Sequence, residues 1–311
     1  MDEAIIYPTL LPKTDKRMCI RLLNEHLLLE LQKPGHVYRG TRFDWTGQIT
    51  GITLGRHSFC STESLEMTEI DLLGRGLYNE FGIQQPPGYD ICGVGEKFLK
   101  IGVGMLTRKT NAPYDFMHIY ENTPGEILFF AEPERAVFQF RTTQSREYAC
   151  QLEKEIVLSG STFAINYRLT NLGSKEIVTH EYVHNFLAIN SHPLDSQYRL
   201  EFPFGLNPGM CDEWVNPGDH VKFHPNHISF DDDTDGEFFF SNIRGENGSA
   251  ASWRLVHELD SVGIEEKVDG PVESINLWGK PHVVSPEIYI PIRVEPGRYM
   301  TWMRNYKVYE F

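Results

Sequence analysis

The sequence predicts an all-β protein, and three observations carry that expectation. β-Branched and aromatic residues gather in short runs that alternate with period two, the pattern of a pleated strand with one face buried. The 26 glycines and 18 prolines are spread along all 311 residues, which suits many short strands broken by frequent turns. Hydrophobic residues make up 41% and aromatic residues 12% of the chain, enough for a substantial core. No internal repeat, low-complexity tract or linker divides the chain, so a single domain over 1–311 is expected.

Taken in order, residues 18–32 are a leucine-rich run that reads either as an amphipathic helix or as two strands around Asn24-Glu25; periodicity does not arbitrate. From Val37 onward the texture is β, with short runs at 48–54, 127–130 and 136–140 and longer strands at 147–158 and 163–169. Asn171-Leu172-Gly173-Ser174 reads as a short turn joining the last of these to the next strand. Residues 203–225 are proline- and glycine-rich and read as surface loops. The Asp231–Gly236 stretch lacks the spacing and bidentate glutamate of a calcium loop and reads as a solvated turn. Residues 251–258, 283–294 and 299–309 supply closing strands. Gly93-Val94-Gly95 and Gly102-Val103-Gly104 are lone pairs better explained as bends than as a nucleotide fingerprint.

The chemistry of Thr179-His180-Glu181-Tyr182-Val183-His184-Asn185-Phe186-Leu187 depends on its secondary structure. On a helix it would be the two-histidine, one-glutamate motif of a zinc protease. Its β-branched and aromatic neighbours favour a strand, and no third ligand follows at the required spacing. On a strand His180, Tyr182 and His184 share one face, which places two imidazoles and a phenol on one wall. Thr41-Arg42-Phe43-Asp44-Trp45 reads as holding a structural Arg42–Asp44 pair.

The formal net charge of −14 disfavours nucleic acid as a partner. Five widely spaced cysteines without a paired motif read as reduced and mostly buried. Residues 1–8 carry no basic and apolar leader pattern, and no apolar run of about 18 residues exists to span a membrane. A cytoplasmic protein with no membrane partner is the expectation; the oligomeric state stays open.

Several segments resemble the aldose 1-epimerases and galactose mutarotases. These are residues 148–158 and 160–171, the strand ending in His184-Asn185-Phe186-Leu187, and the closing Val294-Glu295-Pro296-Gly297-Arg298-Tyr299. Gly74-Arg75-Gly76-Leu77-Tyr78-Asn79-Glu80 lies where that family has a glycine-rich stretch ending in an Asn-Arg pair. Here Glu80 stands in place of the arginine, Lys100-Ile101-Gly102 lies where a histidine-glycine motif is usual, and Ser285-Pro286-Glu287 is the nearest counterpart of the family's catalytic glutamate segment, with Glu287 ending a strand. The resemblance implies the large antiparallel β-sandwich of the mutarotase-like superfamily. It also implies a small-molecule carbohydrate ligand, no cofactor and no metal.

Anomer interconversion needs a base for the O1 proton and an acid for the ring oxygen. The resemblance assigns Glu287 as base and His184 as acid. His180 would hydrogen-bond a hydroxyl or tune His184, Lys100 and Glu80 would bind hydroxyls or a substrate carboxylate, and Trp278 would stack on the sugar ring. Two other readings stand beside the epimerase: a carbohydrate-binding or sensor protein without turnover, and a lyase or isomerase in which His180, His184 and a carboxylate gather a divalent metal.

Overall fold

The computed structural model describes residues 19–142, 147–244 and 251–311; the reading of residues 1–8 lies outside them. Two ten-stranded antiparallel sheets face each other across a common core, and a three-stranded sheet sits beside them. The first sheet runs in the order Cys19–Leu23, Leu27–Gln32, Ile49–Leu54, Gly76–Phe81, Ile177–Phe186, Val283–Val294, Ser274–Lys280, Phe238–Ser241 and Glu213–Val215, with His57–Ser58 flanking Ile49–Leu54. The second runs Val221–Phe223, His227–Phe230, Tyr198–Glu201, Ser252–His257, Val262–Asp269, Tyr299–Glu310, Thr162–Asn171, Cys150–Ser159, Arg135–Arg141 and Glu126–Glu132. The small sheet comprises Lys97–Lys100, Gly104–Thr107 and Asn122–Pro124. This is the all-β sandwich the sequence predicts.

Alternation explains the long strands. In Cys150–Ser159 and Thr162–Asn171 every second side chain is buried, with Leu152, Ile156, Leu158, Phe163, Ile165 and Leu169 in the core between the sheets. The leucine-rich start is a hairpin rather than a helix. Asn24 decides this, because its side-chain oxygen accepts from the N–H groups of His26 and Leu27 and reverses the chain there.

The turn after Asn171 is present, but the strands it joins belong to different sheets. Asn171 makes the crossing by donating to the carbonyls of Lys175 and Val294 while accepting from Gly173. Gly74 and Gly76 allow close approach: a Cβ on Gly74 would lie 2.2 Å from the Phe186 ring, and one on Gly76, where φ is +56°, 2.2 Å from the Ile49 carbonyl. All five cysteines are free, and no helix among the described residues is long and apolar enough to cross a membrane.

Candidate functional site

The site is built where two central strands of the first sheet part. Ile177–Phe186, hereafter the histidine strand, pairs through residues 177–181 with residues 290–294 of Val283–Val294, hereafter the glutamate strand. The ladder then lapses until an isolated bridge joins Leu187 to Val284 in the same register. Pro286 has no N–H to offer in the gap, and its carbonyl is taken instead by the Asn185 side chain at 2.7 Å. Continuity of register sets Tyr182 opposite Tyr289, their rings stacked at 4.6 Å, and His184 opposite Glu287.

Glu287 therefore does not end its strand, as the sequence suggested, but sits in its middle. His184 Nδ1 is 2.8 Å from Ser285 Oγ and 3.3 Å from Glu287 Oε1, and Ser285 donates to Glu287 at 3.2 Å. With the serine proton directed to the carboxyl, Oγ accepts from Nδ1–H and the imidazole lone pair lies on Nε2. Tyr289 closes the far side with a 3.3 Å hydrogen bond to Glu287.

A second group of charges abuts this pair. Glu80, fully buried, receives Arg42 Nε at 3.1 Å, Tyr182 OH at 2.8 Å and Lys100 Nζ at 3.3 Å. Arg42 also donates to Glu63 at 2.9 Å, and the guanidinium lies between the Phe43 and Phe116 rings. The expected Arg42–Asp44 pair does not form: Asp44 binds Lys154 at 2.6 Å, on the opposite side of the sheet. Residues 42–44 lie in an irregular segment rather than a strand, and its bends send the two side chains to different partners.

Burial dominates the electrostatics. It pushes the Glu287 carboxyl up to about 8, against the opposing pull of Ser285, Arg42 and Tyr289. Burial, with the Arg42 and Lys280 charges added, holds His184 well below the ordinary imidazole value. Lys100 falls to about 8 for the same reason, although Glu80 favours its charge. Burial works against the Arg42 cation too, but Glu80 and Glu63 more than offset it. At neutral pH this leaves a proton on Glu287 and none to spare on His184.

The structure thus brings His184, Glu287, Glu80, Lys100 and Trp278 together. The Trp278 ring meets His184 edge-on at 5.0 Å and is anchored by its N–H to Glu237. His180 is not brought in. It is two pleats from His184, and its side chain, 37% exposed, pairs with Glu273 at 2.7 Å. His180 and His184 consequently do not converge on a metal. Among the described residues, the grouping close enough to share an ion is His192, His257 and Asp260.

Sequence reasoning missed Arg42, Glu63, Ser285 and Tyr289. Arg42 gave one signal, an arginine lodged in an aromatic, otherwise core-like stretch. The others are identified only by what tertiary contact sets against them.

Comparison with known proteins agrees with the architecture. No protein-family model and no curated protein sequence matches the chain. Among solved structures, it is similar to the Slr1438 protein of Synechocystis, with 15% identity, a TM-score of 0.57, and 98% of this chain and 100% of that one covered. A galactose mutarotase-like protein from Lactobacillus casei shares 12% identity over 94% of this chain and 100% of its own, with a TM-score of 0.56. The GalM/aldose epimerase homologue of C. elegans shares 12% identity over 94% and 98%, with a TM-score of 0.53. The chain has the galactose mutarotase-like fold, in a form far diverged in sequence.

Proposed function

We propose that the protein binds a free sugar at the His184–Ser285–Glu287 cluster and interconverts its anomers by acid/base ring opening. The observation that carries this reading is the 3.3 Å contact between His184 and Glu287 inside a buried, aromatic-walled site. O1 and the ring oxygen are both attached to C1, so an acid and a base that serve them must stand side by side.

The protonation state of the closed site favours roles opposite to those implied by the family resemblance. His184 takes the O1 proton while Glu287 gives its own to the ring oxygen; the C1–O5 bond breaks as the C1 carbonyl forms. After rotation about C1–C2, ring closure returns each proton to its source. Arg42, Lys100 and Tyr182 would contact hydroxyls, and Trp278 would border the ring. The pair is closed off here, at 4% and 3% exposure, so entry requires the surrounding side chains to move; Tyr114, Phe116 and Met117 lie on the neighbouring Lys100 and Arg42.

One observation favours a second reading, a sugar-binding protein without turnover: Arg42, Lys100, Glu63 and Glu80 already satisfy one another. Saturation-transfer NMR of α and β anomeric signals across a panel of aldoses and uronic acids separates the two. Accelerated exchange that is lost in His184→Asn and in Glu287→Gln supports the epimerase. Line broadening without exchange supports the binding protein, and neither effect with any sugar rejects both.

A further inference from the structure

A second cluster of chemically capable side chains lies away from the proposed sugar site, where the loop after the histidine strand meets the hairpin turn following Ser252–His257. Asp260 Oδ2 is 3.1 Å from His192 Nε2 and 3.1 Å from His257 Nδ1, and the three ligand atoms lie within 4.8 Å of one another. Two donors bound to one zinc-class ion at about 2.1 Å each stand about 3.4 Å apart in a tetrahedral shell. Each imidazole already stands close to that distance from the carboxylate oxygen.

His257 supplies an independent observation. It is 1% exposed, yet neither ring nitrogen has a hydrogen-bond partner; the approach of Nδ1 to Asp260 is close without being aligned as a hydrogen bond. A buried imidazole without an aligned hydrogen bond costs desolvation free energy that a metal–nitrogen bond would offset. The supporting groups suit that role. Asn190 donates to the same Asp260 oxygen at 2.7 Å and contacts His57 Nδ1 at 3.0 Å. Such outer contacts orient a ligating carboxylate. Asp260 also lines a cavity of about 410 Å³, together with Arg56, His57, Ser261, Glu310 and Phe311.

We infer that His192, His257 and Asp260 form a binding site for a divalent first-row transition ion of the zinc class, with its remaining coordination position open toward this cavity. Two imidazoles and one carboxylate are the donor set such ions favour over calcium or magnesium. The stacked rings of His192 and His257, 4.8 Å apart, would tilt to aim both nitrogens at the ion. His192 follows the histidine strand of the first sheet and His257 ends a strand of the second, so the ion would clip the two sheets together. Its effect is stabilising and does not depend on sugar chemistry.

The test uses metal-free full-length protein with Zn²⁺ in thermal melts and Co²⁺ in visible absorption spectra. An upward shift in melting temperature and an intense tetrahedral Co²⁺ band are expected, and both should vanish in His192→Ala, a half-exposed position whose replacement spares the core. Asp260→Asn should weaken Co²⁺ binding at least tenfold. The His224–His227 pair, its rings 4.3 Å apart, is the control. His224→Ala should leave the response intact. Loss of the response in His224→Ala with retention in His192→Ala would overturn the inference, as would no response in the parent protein. Since the readouts are metal binding and melting, a negative result here leaves the anomer-exchange test untouched.

Discussion

The histidine strand carries buried charge on both faces, and the two faces handle it differently. On the core side Glu181 meets Arg304, whose guanidinium donates to Glu181 at 2.7 Å, to Glu266 at 2.5 Å and to the Ile288 carbonyl at 2.8 Å, and Asn185 donates to the same Glu266 at 3.3 Å. Nearby, Lys154 is held by Asp44 and by Asn79 at 2.8 Å, while Asn79 also contacts Glu181. Each cation there touches carboxylate or carbonyl oxygens from more than one segment of the chain. On the other face the polar partners of Glu287 among the described residues are an imidazole and two hydroxyls. Burial raises Glu181 as well, but Arg304 pulls it back, whereas Glu287 is driven to about 8. Fully paired charges fix a structure; a carboxyl buried against an imidazole without a cation in contact keeps its proton at neutral pH.

The largest expected effect tests the core face. Arg304→Ala should strip Glu181 and Glu266 of their partner and cost about 3–5 kcal/mol of stability, read as a lowered urea midpoint. A loss below about 1 kcal/mol would mean that the network is not the structural half of the pair. His184→Asn tests the other face. It should reduce anomer exchange by roughly 10²–10⁴-fold while shifting the urea midpoint far less than Arg304→Ala does. Equal destabilisation by the two variants would erase the distinction.

A pH series sharpens it. Between the unfolded carboxyl value near 4.5 and the folded value of about 8, the native state holds a proton on Glu287 that the unfolded chain has released. This contribution is therefore complete at low pH and is lost as pH rises to about 8. Lys100 has the opposite sign, since its folded value of about 8 lies below 10.5: stability contributed by its neutral form grows from pH 8 to 10.5 and is lost as pH falls through 8. His184, depressed below 6.5, likewise opposes Glu287 at acid pH. Urea unfolding of Glu287→Gln against the parent isolates the first term. The parent should gain stability relative to the variant as pH falls from 8 to 5, and parallel curves would refute the raised carboxyl.

The smallest effect belongs to Tyr182→Phe, which removes the 2.8 Å hydrogen bond to Glu80 but leaves the ring stacked on Tyr289. A stability loss of about 1.5–3 kcal/mol is expected from a hydrogen bond to a charged group, measurable by the same urea titration.

Much of this architecture was legible because strand alternation is a local property. Residues 163–169 and 180–186 announce their faces through period two, and His184 shares a face with Tyr182 whatever the rest of the chain does. Asn24 and Asn171 mark turns for an equally local reason, their side chains bonding to nearby backbone. Other readings failed or stopped short where distance along the chain mattered. Nothing local shows that the turn after Asn171 crosses between sheets. Nor does it show that Glu287 lies in mid-strand, or that Arg42 seeks Glu63 and Glu80 while Asp44 seeks Lys154.

By itself, then, the sequence determined the strand-rich class, most strand positions and which side chains could share a face, because sterics and period-two burial act over a few residues. Tertiary structure alone decided that His184 faces Glu287 across a gap in the ladder, that His180 is left with Glu273, and that Glu80 is enclosed by Arg42, Lys100 and Tyr182. Those pairings depend on the register between strands about a hundred residues apart, and register is set by the packing of both sheets together rather than by any one strand.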